Sequence, residues 1–209
     1  MKLVVIGDSI SVGTFTDKSI GQTGPGSIAS PNFAEYVQSM IGADELENFG
    51  VNGISYCSLS PVNSHLALTK TYGKIQDADV ILIAAGTNDY GTHVELGQKE
   101  DREDSSFYGA VDFVLRSIKE NNPQAKIYVI LPIPRLDDWA NQKGYTLEQY
   151  REAIEYKAAL YGLFVIDGRK LPVNPKIEEE MLRFMDDGVH PNQLGHKLYA
   201  EMVYSQMIQ

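Results

Sequence analysis

The sequence predicts a three-layer α/β/α domain of flavodoxin-like architecture, built on a five-stranded parallel sheet in the order 2-1-3-4-5. Short aliphatic runs without polar alternation recur along the chain, as strands covered on both faces require. Helix-length segments with a one-sided apolar stripe separate them. Right-handed crossovers then leave few strand orders to choose among.

Leu3 to Ile6 is the first strand, running directly into Gly7-Asp8-Ser9-Ile10. Residues 13–30, rich in Gly, Ser and Thr, read as a loop, and Pro31 opens an amphipathic helix to Ile41. Glu45 to Phe49 is the second strand, ending in Gly50-Val51-Asn52-Gly53; a weaker helical stretch crosses residues 64–76. Asp79 to Ala85 is the strongest strand and runs into Gly86-Thr87-Asn88-Asp89. After an acidic loop at 91–104, Phe107 to Glu120 is a helix with Phe107, Ala110, Val111, Val114, Leu115 and Ile118 on one face. Lys126 to Leu131 is the fourth strand, followed by a long loop from Pro132 to Tyr145 that carries the single tryptophan, Trp139. Thr146 and Gln149 resemble a capping box for a helix to Tyr161. Leu163 to Ile166 is the fifth strand, and Pro191 opens the final helix to Met207.

The 209 residues are expected to form one domain, 1–209, with a large core. A net charge of -10, from 28 acidic against 18 basic side chains, argues against a nucleic acid or an anionic membrane as partner. No apolar run approaches the roughly 18 residues of a membrane span, so stable membrane insertion is not expected. The N-terminal apolar stretch is shorter than a signal-peptide core and runs into Ser9, which predicts a cytoplasmic protein. Cys57, alone, reads as a buried thiol and excludes an internal disulfide. His65, His93 and His196 lack ligand spacing and are assigned to the surface or to helix faces, so no metal is expected. Without a G-x-G-x-x-G or P-loop, no dinucleotide or nucleotide cofactor is expected either. Glu95 to Asp104 and Glu178 to Glu180 read as solvated surface.

The chemistry lies in what ends each strand, because parallel sheets place ligands beyond their carboxyl edge. Alone, Gly7-Asp8-Ser9 is equally an ordinary turn with Ser9 capping a helix. Near the C-terminus, however, stands Asp187-Gly188-Val189-His190-Pro191. A carboxylate three residues before an imidazole can reach its Nδ1 and fix its orientation, freeing Nε2 to take a proton from a serine. Acyl transfer also needs donors aimed at an oxyanion. The backbone N–H of Ser9, an N–H in the 50–53 glycine loop and the side-chain amide of Asn88 are suitable. Asp8 is a second acceptor for the serine loop or a turn cap. Tyr90, directly after Asn88 and Asp89, is placed at the substrate cleft, and Trp139 either covers the site or packs its loop down.

Together these four segments resemble the blocks of the GDSL/SGNH hydrolase family, with Ile10 where the family name has leucine. The resemblance spans the chain and implies serine ester hydrolysis, with Ser9 as nucleophile, His190 as general base and Asp187 as its partner. It assigns the oxyanion hole to Ser9, Gly53 and Asn88, Gly53 being favoured over Gly50 by its spacing from Asn48. The expected substrate is a small ester with a short acyl group, such as an O-acetyl group on a carbohydrate. The competing readings are a lipase or thioesterase of longer chains, and a non-catalytic module holding a small ligand in the same loops.

Overall fold

The computed structural model of the protein describes residues 1–208. Strand β1 (Lys2–Gly7) leads into the one-turn helix α1 (Ser9–Val12). A hairpin of two short strands follows, β2 (Thr14–Phe15) and β3 (Ser27–Ile28), and then α2 (Phe33–Ile41) and β4 (Glu45–Asn48). Further on come α3 (Leu68–Thr71), β5 (Val80–Ala84), α4 (Thr87–Gly91) and α5 (Phe107–Asn121). The chain continues through β6 (Lys126–Ile130), α6 (Leu147–Leu160), β7 (Phe164–Ile166), α7 (Glu178–Phe184) and α8 (Gln193–Met207).

The five longer-range strands pair in parallel in the order β4-β1-β5-β6-β7. Counted along the chain without the hairpin, that is 2-1-3-4-5, as the sequence predicts. Alternate residues of the central strands feed two cores. Val4, Ile6, Ile81, Ile83, Ile127 and Val129 meet α5 and α6 on one face. Leu3, Val5, Leu82, Tyr128 and Ile130 meet α2 and α8 on the other. The stripe expected on α5 is buried along its length, from Phe107 to Ile118.

Several elements differ from expectation, each for a local reason. Neither Pro31 nor Pro191 is the first helical residue; the asparagine after each one caps the helix instead. Asn32 Oδ1 accepts from Ala34 and Glu35 N–H while Glu35 returns a bond to Asn32 N–H, and Asn192 Oδ1 accepts from Leu194 and Gly195 N–H. The stretch 64–76 is not one helix: a 3₁₀ turn at Ser64–Leu66, α3 and a second 3₁₀ turn at Tyr72–Lys74 share it. The loop at 13–30 contains the hairpin. Within the acidic loop, Asp104 is not solvated surface, since it accepts from Ser58 N–H and Thr69 Oγ1. No helix among the described residues is long and apolar enough to cross a membrane.

His196, on α8, lies wholly inside, stacked 6.4 Å from Phe33, with neither ring nitrogen hydrogen-bonded. Burial pushes its pKa down to about 4, helped by the charge of His190 and weakly opposed by the backbone of Gly13. Between pH 6.5 and 4 the unfolded chain therefore binds the extra proton, so stability falls with acidification through that window. At pH 4 the loss from this group is about 3 kcal/mol. Urea unfolding of His196→Leu, of similar volume, should show a correspondingly shallower loss from pH 6.5 to 4. Parallel wild-type and variant curves would contradict this assignment.

Candidate active site

The carboxyl ends of β1, β4 and β5 bring the first three sequence blocks to one edge of the sheet. Gly7 is required by space: a Cβ there would lie 2.2 Å from the Ala84 carbonyl oxygen and 2.3 Å from Ser11 Oγ. Its absence lets β1 pair with β5 down to the turn itself. Asp8 then caps α1 by accepting the Ile10 N–H at 2.9 Å, and Ser9 becomes the first helical residue.

Ser9 Oγ meets His190 Nε2 at 2.9 Å across a separation of 181 residues. On the far side of the ring, His190 Nδ1 meets Asp187 Oδ2, also at 2.9 Å. The other carboxylate oxygen accepts the N–H groups of Val189 at 2.9 Å and His190 at 2.8 Å, closing a tight turn around its own imidazole. Gly188 sits in that turn with φ +77°, and a Cβ would strike Leu136, whose N–H donates to the Gly188 carbonyl at 2.9 Å. Burial works to raise the Asp187 pKa. The bonds from the His190 ring and backbone and from Val189 outweigh it and hold the carboxyl well below the usual range. Asp187 is therefore a fixed negative charge beside the imidazole at neutral pH.

The other two blocks also carry donors without a full set of acceptors. Among the described residues, the backbone N–H groups of Ser9 and Gly53 have no protein acceptor. The N–H of Gly50 is already donated to Asn48 Oδ1 at 2.9 Å. Asn88 Nδ2 gives one hydrogen to the Ile54 carbonyl at 2.9 Å, which leaves its second free. Asp89, the next residue, accepts Tyr56 N–H at 2.9 Å and Cys57 N–H at 3.0 Å, one on each oxygen. Adjacent side chains on α4 thus clamp residues 54–57, directly behind Gly53. Burial pushes Asp89 up to about 7, against the bonds from Cys57 and Tyr56. Asp8 is likewise pushed up to about 6 by burial, against the Ile10 bond and the charges of His190 and Arg135.

Tyr90 does not line the cleft. It is 2% exposed, and its single hydroxyl hydrogen is shared between the carbonyls of Asp137 and Trp139. Arg135 grips Asp137 through two nitrogens at 2.6 and 2.7 Å and donates to the Thr87 carbonyl at 3.0 Å and hydroxyl at 2.7 Å. The long loop after β6 is thereby tied to α4, and Trp139 projects from it, 67% exposed. Trp139 accordingly does not pack its loop down. Cys57 is fully buried, with burial raising its pKa to about 12. No cluster of three or more metal-binding side chains occurs among the described residues.

A serine, an imidazole and a carboxylate in one hydrogen-bonded chain, at the ligand edge of a parallel sheet, define a serine-hydrolase type of site. The chain belongs to the GDSL-like lipase/acylhydrolase family, whose profile matches residues 5–198. Among solved structures it is similar to a Lactobacillus plantarum protein, at 25% identity and a TM-score of 0.84, covering 99% of this chain and 96% of that one. LAE5, an alpha/beta hydrolase enzyme from the metagenome of Lake Arreo, shares the fold at 21% identity and a TM-score of 0.62, covering 98% and 94%. The acetyl xylan esterase AlAXEase does so at 19% identity and a TM-score of 0.62, covering 98% of each chain. No curated protein matches the sequence.

Proposed function

We propose that the protein is a serine esterase that removes short acyl groups, acetyl above all, from a polar alcohol such as a sugar. The single observation behind the reaction is the chain from Ser9 Oγ through His190 to Asp187, both links at 2.9 Å. Ser9 Oγ attacks the ester carbonyl as His190 Nε2 takes its proton. The carbonyl oxygen becomes an oxyanion received by the N–H groups of Ser9 and Gly53 and the second hydrogen of Asn88 Nδ2. Gly53 has this role because the N–H of Gly50 is engaged elsewhere. Collapse breaks the bond to the alcohol, which leaves with the proton from His190. Water, activated by the same imidazole, then hydrolyses the acyl-Ser9 ester, and Asp187 stays ionised throughout.

The acyl preference has a different support. What favours a polar alcohol over a lipid surface is the whole chain's net charge of -10 and a loop from 132 to 145 that carries no lid helix. The likeness in fold to an acetyl xylan esterase points the same way. Measured with p-nitrophenyl acetate, butyrate, octanoate and palmitate, kcat/KM should be highest for acetate and fall by at least about tenfold by octanoate. An optimum at octanoate or beyond would replace this reading with a lipase of longer chains.

A further inference from the structure

We infer that Thr14 and Thr16 are paired positioning residues, which hold the oxyanion loop and the catalytic carboxylate from β2 and the residue directly after it. Both lie in the stretch that composition alone presents as a loop, and both are buried, Thr16 to 1% exposure. β2 and its partner β3 fix this stretch in extended form, with Thr14 opposite Ile28 and Phe15 opposite Ser27. Thr16 follows directly on β2, and the two hydroxyls reach two different arms of the site. Thr16 Oγ1 donates to Asp187 Oδ2 at 2.8 Å. That is the oxygen which accepts from His190 Nδ1. Thr14 Oγ1 donates to Asn52 Oδ1 at 2.8 Å, immediately before Gly53, and the Asn52 carbonyl accepts from Asn63 Nδ2 at 2.7 Å.

The two hydroxyls do different work. Asp187 Oδ1 is held by two backbone N–H groups, whereas Oδ2 has only the imidazole and Thr16. Without the hydroxyl, Oδ2 would be aligned by the imidazole alone, and the carboxylate could swing with the ring it is meant to orient. A bond to a charged acceptor is also stronger than one between neutral groups. Thr14 acts on a neutral amide and on the other arm of the site, the backbone that presents Gly53. Its loss should leave the His190–Asp187 contact untouched.

The test is Thr16→Val, Thr16→Ser and Thr16→Cys beside Thr14→Val and Thr14→Ser, all in the full chain. Two readouts are needed: ester kinetics, and the downfield proton NMR resonance of the hydrogen between His190 Nδ1 and Asp187 Oδ2. The kinetic arm rests on the esterase reading; the resonance does not. For Thr16→Val, kcat should fall about tenfold with KM within about twofold, and the resonance should move. Serine should restore both, and cysteine, a weaker donor of similar size, should fall between. For Thr14→Val, kcat should fall a few-fold with the resonance unmoved, and serine should restore the rate. A Thr16→Val protein with the wild-type resonance overturns the inference, as does a serine variant no better than valine. A wild-type protein inert to every ester would count against the esterase reading alone, with the resonance still deciding the role of Thr16.

Discussion

Ser9→Ala is expected to lower kcat by roughly 10⁴-fold or more and to abolish labelling by a fluorophosphonate probe. The size follows from the chain of contacts. Without Oγ there is no acceptor for the acyl group, and His190 Nε2 loses the only donor the structure gives it. His190 remains bonded to Asp187, and Asp187 keeps its two backbone donors, so the rest of the site should stay in place. The variant should therefore unfold within a degree or two of the parent. Labelling that persists in Ser9→Ala, or a kcat within tenfold of the parent, would remove Ser9 as nucleophile.

The second large effect belongs to Asn88. Asn88→Ala should reduce kcat by about 10²–10³-fold, the usual loss for one oxyanion donor, with little change in KM. Because the same amide holds the Ile54 carbonyl, part of the loss could come from a displaced Gly53. The neighbouring clamp separates these contributions, since Asp89 still grips Tyr56 and Cys57 N–H in the variant. Thermal unfolding measured alongside should change by far less than the rate. Near-normal kcat would take Asn88 out of the mechanism.

The parts of the molecule that were legible in sequence are those whose signal is local. A strand covered on both faces must be a continuous apolar run, so β1, β5 and β6 are plain, and with them the sheet edge where Ser9 and Asn88 stand. β4 and β7, at the sheet's edges, are short and mixed, while the ends of all five strands fall within a residue of expectation. The Asp187–His190 pairing was readable because three residues suffice to close that turn. Thr16 was not, since its partner lies 171 residues away and it stands just past a strand only two residues long. Its one signal, the alternation Thr14-Phe15-Thr16, is too brief to stand out among polar neighbours. Tyr90 shows the opposite difficulty: proximity to Asn88 suggested the cleft, yet α4 turns the ring inward, and only the fold reveals the carbonyls it meets. Asn32 and Asn192 each follow a proline, which is itself a strong helix-start signal, so the sequence alone places each helix start one or two residues early.

The way the long loop after β6 is fastened has an evolutionary consequence. Tyr90 grips it through the main-chain carbonyls of Asp137 and Trp139, and Leu136 meets Gly188 backbone to backbone. None of these bonds depends on the side chain at position 139, although the Arg135–Asp137 and Arg151–Asp138 pairs depend on both partners and the Leu136 side chain lies against Gly188. Mutations at the protruding tip can therefore accumulate without disturbing the geometry beneath it. A lineage could exchange Trp139 for almost any residue while the contacts from Ser9 through His190 to Asp187 stay as they were.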